Sequence, residues 1–172
     1  MREVNDAGRE LVKAFEGIMD GDPSTVNLDP YLDPVGIWTI GWGHAIRGAD
    51  GRFLRGQSAA ATARALYPDG ITLGQAEALL TADLLDACRD VVALAPSTVT
   101  DNQFAALVSF EFNCGGLRGS TLLKKLRAGV PSEGVAAQFG RWNKGRDPRT
   151  GQLVVLRGLT RRRAAEAALF LS

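Results

Sequence analysis

The chain has 172 residues, of which 45% are hydrophobic and 23% are charged, and its formal net charge at pH 7 is +1. This ordinary globular balance excludes a long disordered, collagen-like or disulfide-dense chain, and the length predicts one domain with room for two lobes. The charge is uneven, because residues 141–163 carry eight basic residues and one acid, or +7 locally, which leaves −6 for the remainder. One end of the chain is therefore a candidate anion-facing surface.

The first predicted element is a helix that ends at Glu16. Apolar residues recur at helical spacing up to Phe15, and Gly17 supplies a helix stop. Residues 18–30 follow as a polar, acidic loop, because glycine and proline interrupt them and no apolar period is present.

A small sheet is predicted over residues 31–53. The segment 38–42 is rich in strand formers, and Asp50-Gly51 is a hairpin signal. After this sheet, the pattern is almost entirely helical.

Two capping boxes mark helix starts in this second part, Thr72-x-x-Gln75 and Thr100-x-x-Gln103. The first opens a long helix that runs to about Leu94, and Pro96 closes that region. The other predicted helices cover residues 58–67, 101–113, 120–128, 132–143 and 160–171, and residues 147–156 are predicted to form a loop or a short hairpin.

Two further features concern the compartment of the protein. The chain has no run of about 18 apolar residues, and residues 1–6 contain no stretch of the signal-peptide type. We therefore expect the protein to be made in the cytoplasm and not to insert stably into a membrane. Cys88 and Cys114 lie in apolar helical patterns, which favours free, buried thiols, although a disulfide between them stays open.

Glu16 is a candidate proton donor. It lies in the last turn of a helix, where the negative end of the helix dipole disfavours another negative charge. A carboxyl group that stays protonated near neutral pH can serve as the general acid of a glycosidase. A solvated glutamate at a helix end is the alternative, and the position alone does not decide.

Residues 31–44 contain a second candidate group. This segment places a carboxylate and a hydroxyl at opposite ends of one tight strand entry, with glycines that allow another chain to approach the backbone closely. Such an arrangement is suited to holding a water molecule.

These two elements carry a resemblance to a known family. Together, Phe15-Glu16-Gly17 and Tyr31-x-Asp33-x-x-Gly36-x-x-Thr39-Ile40-Gly41-x-Gly43-His44 resemble the signature of the phage-type lysozymes. Later blocks resemble that family in the same order, at residues 110–115, 119–123, 139–142 and 158–163. The likeness covers nearly the whole chain.

The resemblance implies an α+β, mostly α, two-lobed fold. It implies a small β-containing lobe at about residues 18–70, a larger helical lobe from residues 1–17 and 95–172, and a linking helix over residues 72–94. It also implies hydrolysis of the β-1,4 bond between N-acetylmuramic acid and N-acetylglucosamine in peptidoglycan, without a cofactor.

By the same resemblance, Glu16 is the general acid, and Asp33 and Thr39 position the attacking water. Inversion at the sugar carbon is an expectation that comes from the family. The segment between Glu16 and Tyr31 is longer than in the shortest members, and it contains three rival carboxylates: Asp20, Asp22 and Asp29. We prefer Asp33, since it alone holds the motif position.

Four other residues are candidates for substrate binding: His44, Phe112, Asn113 and Arg141. The Asn113 amide is suited to an N-acetyl group or a sugar hydroxyl, with a role in ending a helix as the alternative. His44 is the only histidine, which excludes a multi-histidine metal site, and we expect no metal. We expect Trp142 to fill the core.

Three other functions remain open at this point. A lytic transglycosylase needs only one catalytic acid, and a wall-binding module without catalysis needs no Glu16. The third alternative is nucleic-acid binding by the basic end of the chain, which the spread of Arg161–Arg163 around a helix disfavours. We expect a monomer that acts on peptidoglycan, binds no nucleic acid and depends on a holin-like partner to reach the wall.

Overall fold

The computed structural model describes residues 2–147 and 149–172. The described residues form α-helices and two small antiparallel sheets, which confirms the predicted α+β, mostly α class. Their contacts divide the chain into two compact units, Glu16–Asp83 and a unit made of Met1–Phe15 with Leu84–Ser172. No helix in the described part of the chain is long and apolar enough to cross a membrane.

The unit Glu16–Asp83 contains a three-stranded antiparallel sheet in the order β1-β2-β3. Its strands are β1 (Tyr31–Leu32), β2 (Trp38–Ile40) and β3 (His44–Ala45). All three residues of β2 are buried, because this strand lies in the centre of the sheet. The predicted hairpin at Asp50-Gly51 is present, and Gly51 takes the left-handed conformation with a φ of 76°.

Two helices complete this unit. A 3₁₀ turn at Gln57–Ala59 leads into α2 (Ala60–Leu66), which is shorter than the predicted helix. The long helix α3 (Leu73–Leu94) begins in this unit and ends in the other, within one residue of its predicted start and at its predicted end. Both halves of its predicted capping box form, since Thr72 and Gln75 exchange hydrogen bonds of 2.8 and 3.2 Å.

The other unit is mainly helical. Its helices are α1 (Asp6–Glu16), the end of α3, α4 (Asp101–Cys114), α5 (Thr121–Arg127), α6 (Ser132–Ala136) and α7 (Arg157–Leu171). The capping box at Thr100 begins α4, and α1 ends at Glu16 as predicted. The strands β4 (Lys144–Arg146) and β5 (Leu153–Val155) pair antiparallel, so of the loop or short hairpin predicted over residues 147–156 the hairpin is found, with β4 before the predicted span.

Two predicted helices of the mainly helical unit have wrong boundaries. The helix predicted over residues 132–143 ends at Ala136 and is followed by a 3₁₀ turn at Phe139–Arg141, where Gly140 disfavours a continuous α-helix. The last helix begins at Arg157 rather than at residue 160, and the Leu156 carbonyl oxygen accepts the first hydrogen bond, from the Thr160 N–H.

The two cysteines differ in environment. Cys88 is buried as predicted, whereas Cys114 is exposed, which corrects the expectation of two buried thiols. Cys114 lies in the last turn of α4, and its thiol donates a hydrogen bond to the Phe110 carbonyl oxygen at 3.2 Å. Both cysteines are free thiols.

Candidate active site

The Glu16 carboxylate lies beside the turn that joins β2 to β3. Glu16 is half-buried at the end of α1, and a methyl group placed on Gly43 would lie 3.6 Å from its Oε2 atom. Gly43 has a φ of 79°, in the left-handed region that favours glycine. The turn therefore approaches the carboxylate with bare backbone rather than with a side chain.

The Asp33 carboxylate closes the turn between β1 and β2. Its Oδ1 atom accepts hydrogen bonds from the backbone N–H groups of Val35 at 2.9 Å and Ile37 at 2.8 Å. The Asp33 carbonyl oxygen accepts a third from Gly36 at 3.0 Å, and Gly36 has a φ of 80°. The backbone thus fixes one carboxylate oxygen, and Oδ2 lies outside this set of hydrogen bonds.

The charges of Glu16 and Asp33 both affect the pKa of the Tyr31 hydroxyl. Tyr31 is half-buried on β1, and burial raises the pKa of its hydroxyl, to which the negative charges of Asp33 and Glu16 add. Both carboxylates therefore lie within electrostatic range of one phenol, which stays protonated at neutral pH. Sequence reasoning gave Tyr31 no role of its own, although it opens the motif Tyr31-x-Asp33.

Thr39 lies in the same row of side chains as Tyr31. The register pairs Tyr31 with Thr39 and Thr39 with Ala45, and directly paired residues share one face of a sheet. Thr39 is only 3% exposed, and its hydroxyl donates to the Ile37 carbonyl oxygen at 3.1 Å. Its proton is therefore committed to the backbone, and its oxygen is the part that can accept a hydrogen bond.

His44 is held by a residue that the sequence did not indicate. Its Nδ1 atom lies 2.9 Å from an oxygen of Asp83, on α3, and both side chains are largely buried. Asp83 is 39 residues away in the chain, so no local motif connects the two. The contact fixes the plane of the imidazole ring beside the β2–β3 turn.

The three rival aspartates organise the loop over residues 18–30. Asp20 Oδ1 accepts from the backbone of Asp22 and Asp29 at 3.1 and 3.0 Å. Asp22 accepts from the Ser24 backbone and hydroxyl, and these hydrogen bonds lower the pKa of Asp22. Asp29 accepts from the Thr25 hydroxyl. Each carboxylate thus has a local structural partner.

The other substrate-binding candidates belong to the mainly helical unit. Phe112 is half-buried, whereas Asn113 and Arg141 are exposed. Trp142 is 36% exposed and packs with one edge against the Phe110 ring, so the expectation that it fills the core is wrong. Its indole ring lies against Gly116, where a Cβ atom would come within 2.5 Å.

Not all basic side chains of residues 141–163 are exposed. Of the eight basic residues, Arg162 and Arg163 are 3% and 1% exposed and form ion pairs with buried Glu166. The sequence contained a signal for these pairs, since Glu166 stands three and four positions after the two arginines on one helix. Among residues 2–147 and 149–172, no group of three or more metal-ligating side chains is placed to hold a metal ion.

A carboxyl group at a helix end with a second carboxylate fixed on a small sheet is the kind of pair that glycoside hydrolases use. Comparisons with known proteins identify the family to which this chain belongs. The family model described as phage lysozyme matches residues 21–166, a span that contains Asp33, Thr39 and His44 and begins after Glu16.

Two sequence relatives are endolysins. The endolysin of Acyrthosiphon pisum secondary endosymbiont phage 1 is 33% identical over 98% of each chain. The endolysin of Bacillus phage PZA is 35% identical over 99% of this chain, which spans 55% of the length of that relative.

Two solved structures are similar over nearly their full lengths. The endolysin from Escherichia coli O157:H7 phage FAHEc1 has a TM-score of 0.78 and 30% identity, with 99% of this chain and 94% of that chain covered. The muramidase domain of SpmX from Asticaccaulis excentricus has a TM-score of 0.74 and 32% identity, with 100% and 99% covered. The chain belongs to the phage lysozyme family. It is a lysozyme-type glycoside hydrolase.

Proposed function

We propose that this protein hydrolyses the β-1,4 bond between N-acetylmuramic acid and N-acetylglucosamine in bacterial peptidoglycan, with Glu16 as general acid and with Asp33 and Thr39 positioning the water. The observation that carries the proposal is that Glu16 lies beside Gly43 of the β2–β3 turn while the β1–β2 turn of the same sheet fixes Oδ1 of Asp33. The muramidase domain and the endolysins among the similar proteins support the choice of bond and polymer.

The proposed roles follow from the surroundings of each group. Glu16 donates its proton to the oxygen that leaves the broken glycosidic bond. Asp33 Oδ2, which the backbone does not hold, accepts a proton of the attacking water, whose oxygen bonds to the sugar carbon. Thr39 accepts a hydrogen bond from the same water, since its own proton is donated to the Ile37 carbonyl oxygen.

Replacement of Glu16 tests the acid directly. We expect Glu16→Gln to lower the rate of peptidoglycan hydrolysis by about 10²–10⁴-fold, because the amide keeps the shape but cannot donate the proton. The measurement is the release of soluble fragments from purified peptidoglycan. Glu10→Gln, on the exposed face of the same helix, is the matched control and should retain the wild-type rate. Undiminished hydrolysis by Glu16→Gln contradicts the assignment.

The chemistry of the new chain ends separates hydrolysis from transglycosylation. Mass spectrometry of the fragments should find reducing N-acetylmuramic acid ends, and Asp33→Asn should abolish their formation whereas Asp22→Asn should not. Anhydro ends would instead identify a lytic transglycosylase, which has no need for a positioned water. That outcome would remove Asp33 and Thr39 from the mechanism.

We also propose that the protein is made in the cytoplasm of a bacterial host, acts as a monomer and reaches the wall through a membrane lesion of the holin type, so that its activity lyses the host. The endolysin relatives support this part of the proposal. Expression of the chain alone should leave intact cells unlysed until the membrane is permeabilised. Prompt lysis without permeabilisation would contradict the dependence on a holin.

A further inference from the structure

The hairpin of β4 and β5 presents one of its faces to solvent. Lys144 is paired with Val155 and Arg146 with Leu153, and directly paired residues of an antiparallel sheet share one face. All four residues are exposed, Leu153 by 63% and Val155 by 57%, whereas the residues between them on each strand are half-buried. This hairpin face (Lys144, Arg146, Leu153 and Val155) therefore places two cations and two large aliphatic side chains side by side in water.

The hairpin is positively charged. Residues 144–155 contain three basic residues and one acid, which gives a net charge of +2. The acid is Asp147, whose Oδ1 atom accepts hydrogen bonds from the backbone N–H groups of Arg149 and of the residue after it, at 2.7 and 3.3 Å. Arg146 donates to a neutral acceptor, the Gly151 carbonyl oxygen, at 3.0 Å. Because the acid is engaged by the turn, the hairpin presents positive charge to solvent.

The aliphatic side chains of the hairpin face lie in water rather than in a core. A single exposed aliphatic residue is ordinary on a protein surface. Leu153 and Val155, however, are two positions apart on one strand, so they are neighbours on the same face, and each has a cation directly across the sheet. The stems of lysine and arginine are apolar as well and extend the aliphatic surface between the charges. The hairpin face thus combines apolar area with positive charge at close range.

This combination distinguishes between classes of anionic partner. Nucleic acids are bound through cations, hydrogen-bonding groups and aromatic stacking, and leucine and valine side chains provide neither a hydrogen bond nor a flat ring. An anionic phospholipid bilayer has phosphate groups at its surface and acyl chains just below them. Both kinds of side chain on the hairpin face therefore have a matching group in such a bilayer.

We propose that the hairpin face docks the protein reversibly on an anionic phospholipid bilayer, with Lys144 and Arg146 at the lipid phosphates and with Leu153 and Val155 among the outermost parts of the acyl chains. Two aliphatic side chains bury too little apolar area for permanent anchoring, and the two cations supply the remaining attraction. The inference goes beyond the proposed function and does not depend on it.

The experiment is co-sedimentation of the full chain with lipid vesicles. One set of vesicles is an equal mixture of phosphatidylglycerol and phosphatidylcholine, and the other is phosphatidylcholine alone. We expect the wild type to bind the mixed vesicles about tenfold or more tightly than the neutral ones. Salt at about 1 M should remove this difference, because it screens the attraction between exposed cations and lipid phosphates.

The cations of the hairpin face are tested by one double variant. Lys144→Gln with Arg146→Gln should weaken binding to the mixed vesicles about 30-fold, because each cation near an anionic bilayer adds to the attraction. Arg118→Gln with Lys124→Gln is the matched control. It makes the same change of net charge at exposed residues of the same unit, and it should weaken binding by less than about twofold.

The aliphatic side chains are tested by a second double variant. Leu153→Thr with Val155→Thr keeps both cations and a strand-forming residue at each position but removes the apolar contact, so binding to the mixed vesicles should weaken about tenfold. Val92→Thr with Leu171→Thr changes two aliphatic residues of α3 and α7 that are similarly exposed. This control should bind within about twofold of the wild type.

Equal binding of the wild type to the two kinds of vesicle, or unchanged binding by either hairpin variant, overturns the inference. A loss with the cation variant alone would indicate a site for polyanions, and a dimer that the aliphatic variant dissociates would indicate a second copy of the chain as the partner. Every variant should release fragments from purified peptidoglycan at the wild-type rate, which also shows that it is folded. The single variants Lys144→Gln and Leu153→Thr repeat the test if a double variant does not fold. Failure of the wild type to cleave peptidoglycan would contradict the proposed function and leave this inference standing.

Discussion

The segment Asp33–Thr39 and the pair of helices α4 and α7 hold their polar groups in different ways. In the segment, the partners of Asp33 are two and four residues away in the chain, and the partner of Thr39 is two residues away. Between α4 and α7, Asn113 and Arg163 are 50 residues apart, and Ser109 and Glu166 are 57 residues apart. One region is organised by its own backbone, and the other by side chains that packing brings together.

The difference shows what each region tolerates. A turn such as that of Asp33 needs only the correct local φ and ψ angles, so a change in its glycine acts on that turn first. A buried charge cluster needs all its members at once, because removal of one leaves the others desolvated and unpaired.

Removal of Glu166 should have the larger effect. We expect Glu166→Ala to lower the free energy of unfolding by about 3–5 kcal/mol, because it leaves the buried guanidinium groups of Arg162 and Arg163 without their carboxylate. Urea unfolding followed by circular dichroism measures the change. Glu133→Ala, at an exposed carboxylate on α6, should change it by less than about 0.5 kcal/mol. Equal midpoints for the two variants would show that the cluster is not a cooperative unit.

Replacement of Gly36 should have a smaller effect on stability. Gly36 has a φ of 80°, and no atom lies within 4 Å of the position that an alanine methyl group would take, so Gly36→Ala meets backbone strain but no clash, at about 1–2 kcal/mol. Gly119, which has equal space around it without a positive φ, provides the control Gly119→Ala. We expect lysis of peptidoglycan to fall only in Gly36→Ala, since its strain acts on the turn that fixes Asp33. Equal lytic activity in the two variants would dissociate this turn from catalysis.

The success of sequence reasoning follows the same division. The end of α1 at Glu16, the capping boxes at Thr72 and Thr100 and the hairpin at Asp50-Gly51 were predictable, because each depends on residues within a few positions of one another. The end of the helix predicted over residues 132–143 was wrong, because the apolar pattern continues past Ala136 although the α-helix ends there.

The candidate site shows the same limits. The motif around Asp33 and Thr39 identified residues that the structure holds in one turn and one strand, whereas no sequence pattern pairs His44 with Asp83. The exposure of single side chains could not be predicted from the sequence either, because Cys114 and Trp142 were expected to be buried and are exposed. Apolar character favours burial, but the neighbours that cover a side chain are set by packing.

By itself, the sequence determined the α+β class, the positions of the main helices and the family, because these depend on periodicity, caps and a long motif along the chain. Only the tertiary structure decided that Arg162 and Arg163 are buried beside Glu166, that Arg163 donates to Asn113 and that Asp83 holds His44. The physical reason is that a charged side chain is expected at the surface until its partner, often tens of residues away, is known to lie within hydrogen-bond distance.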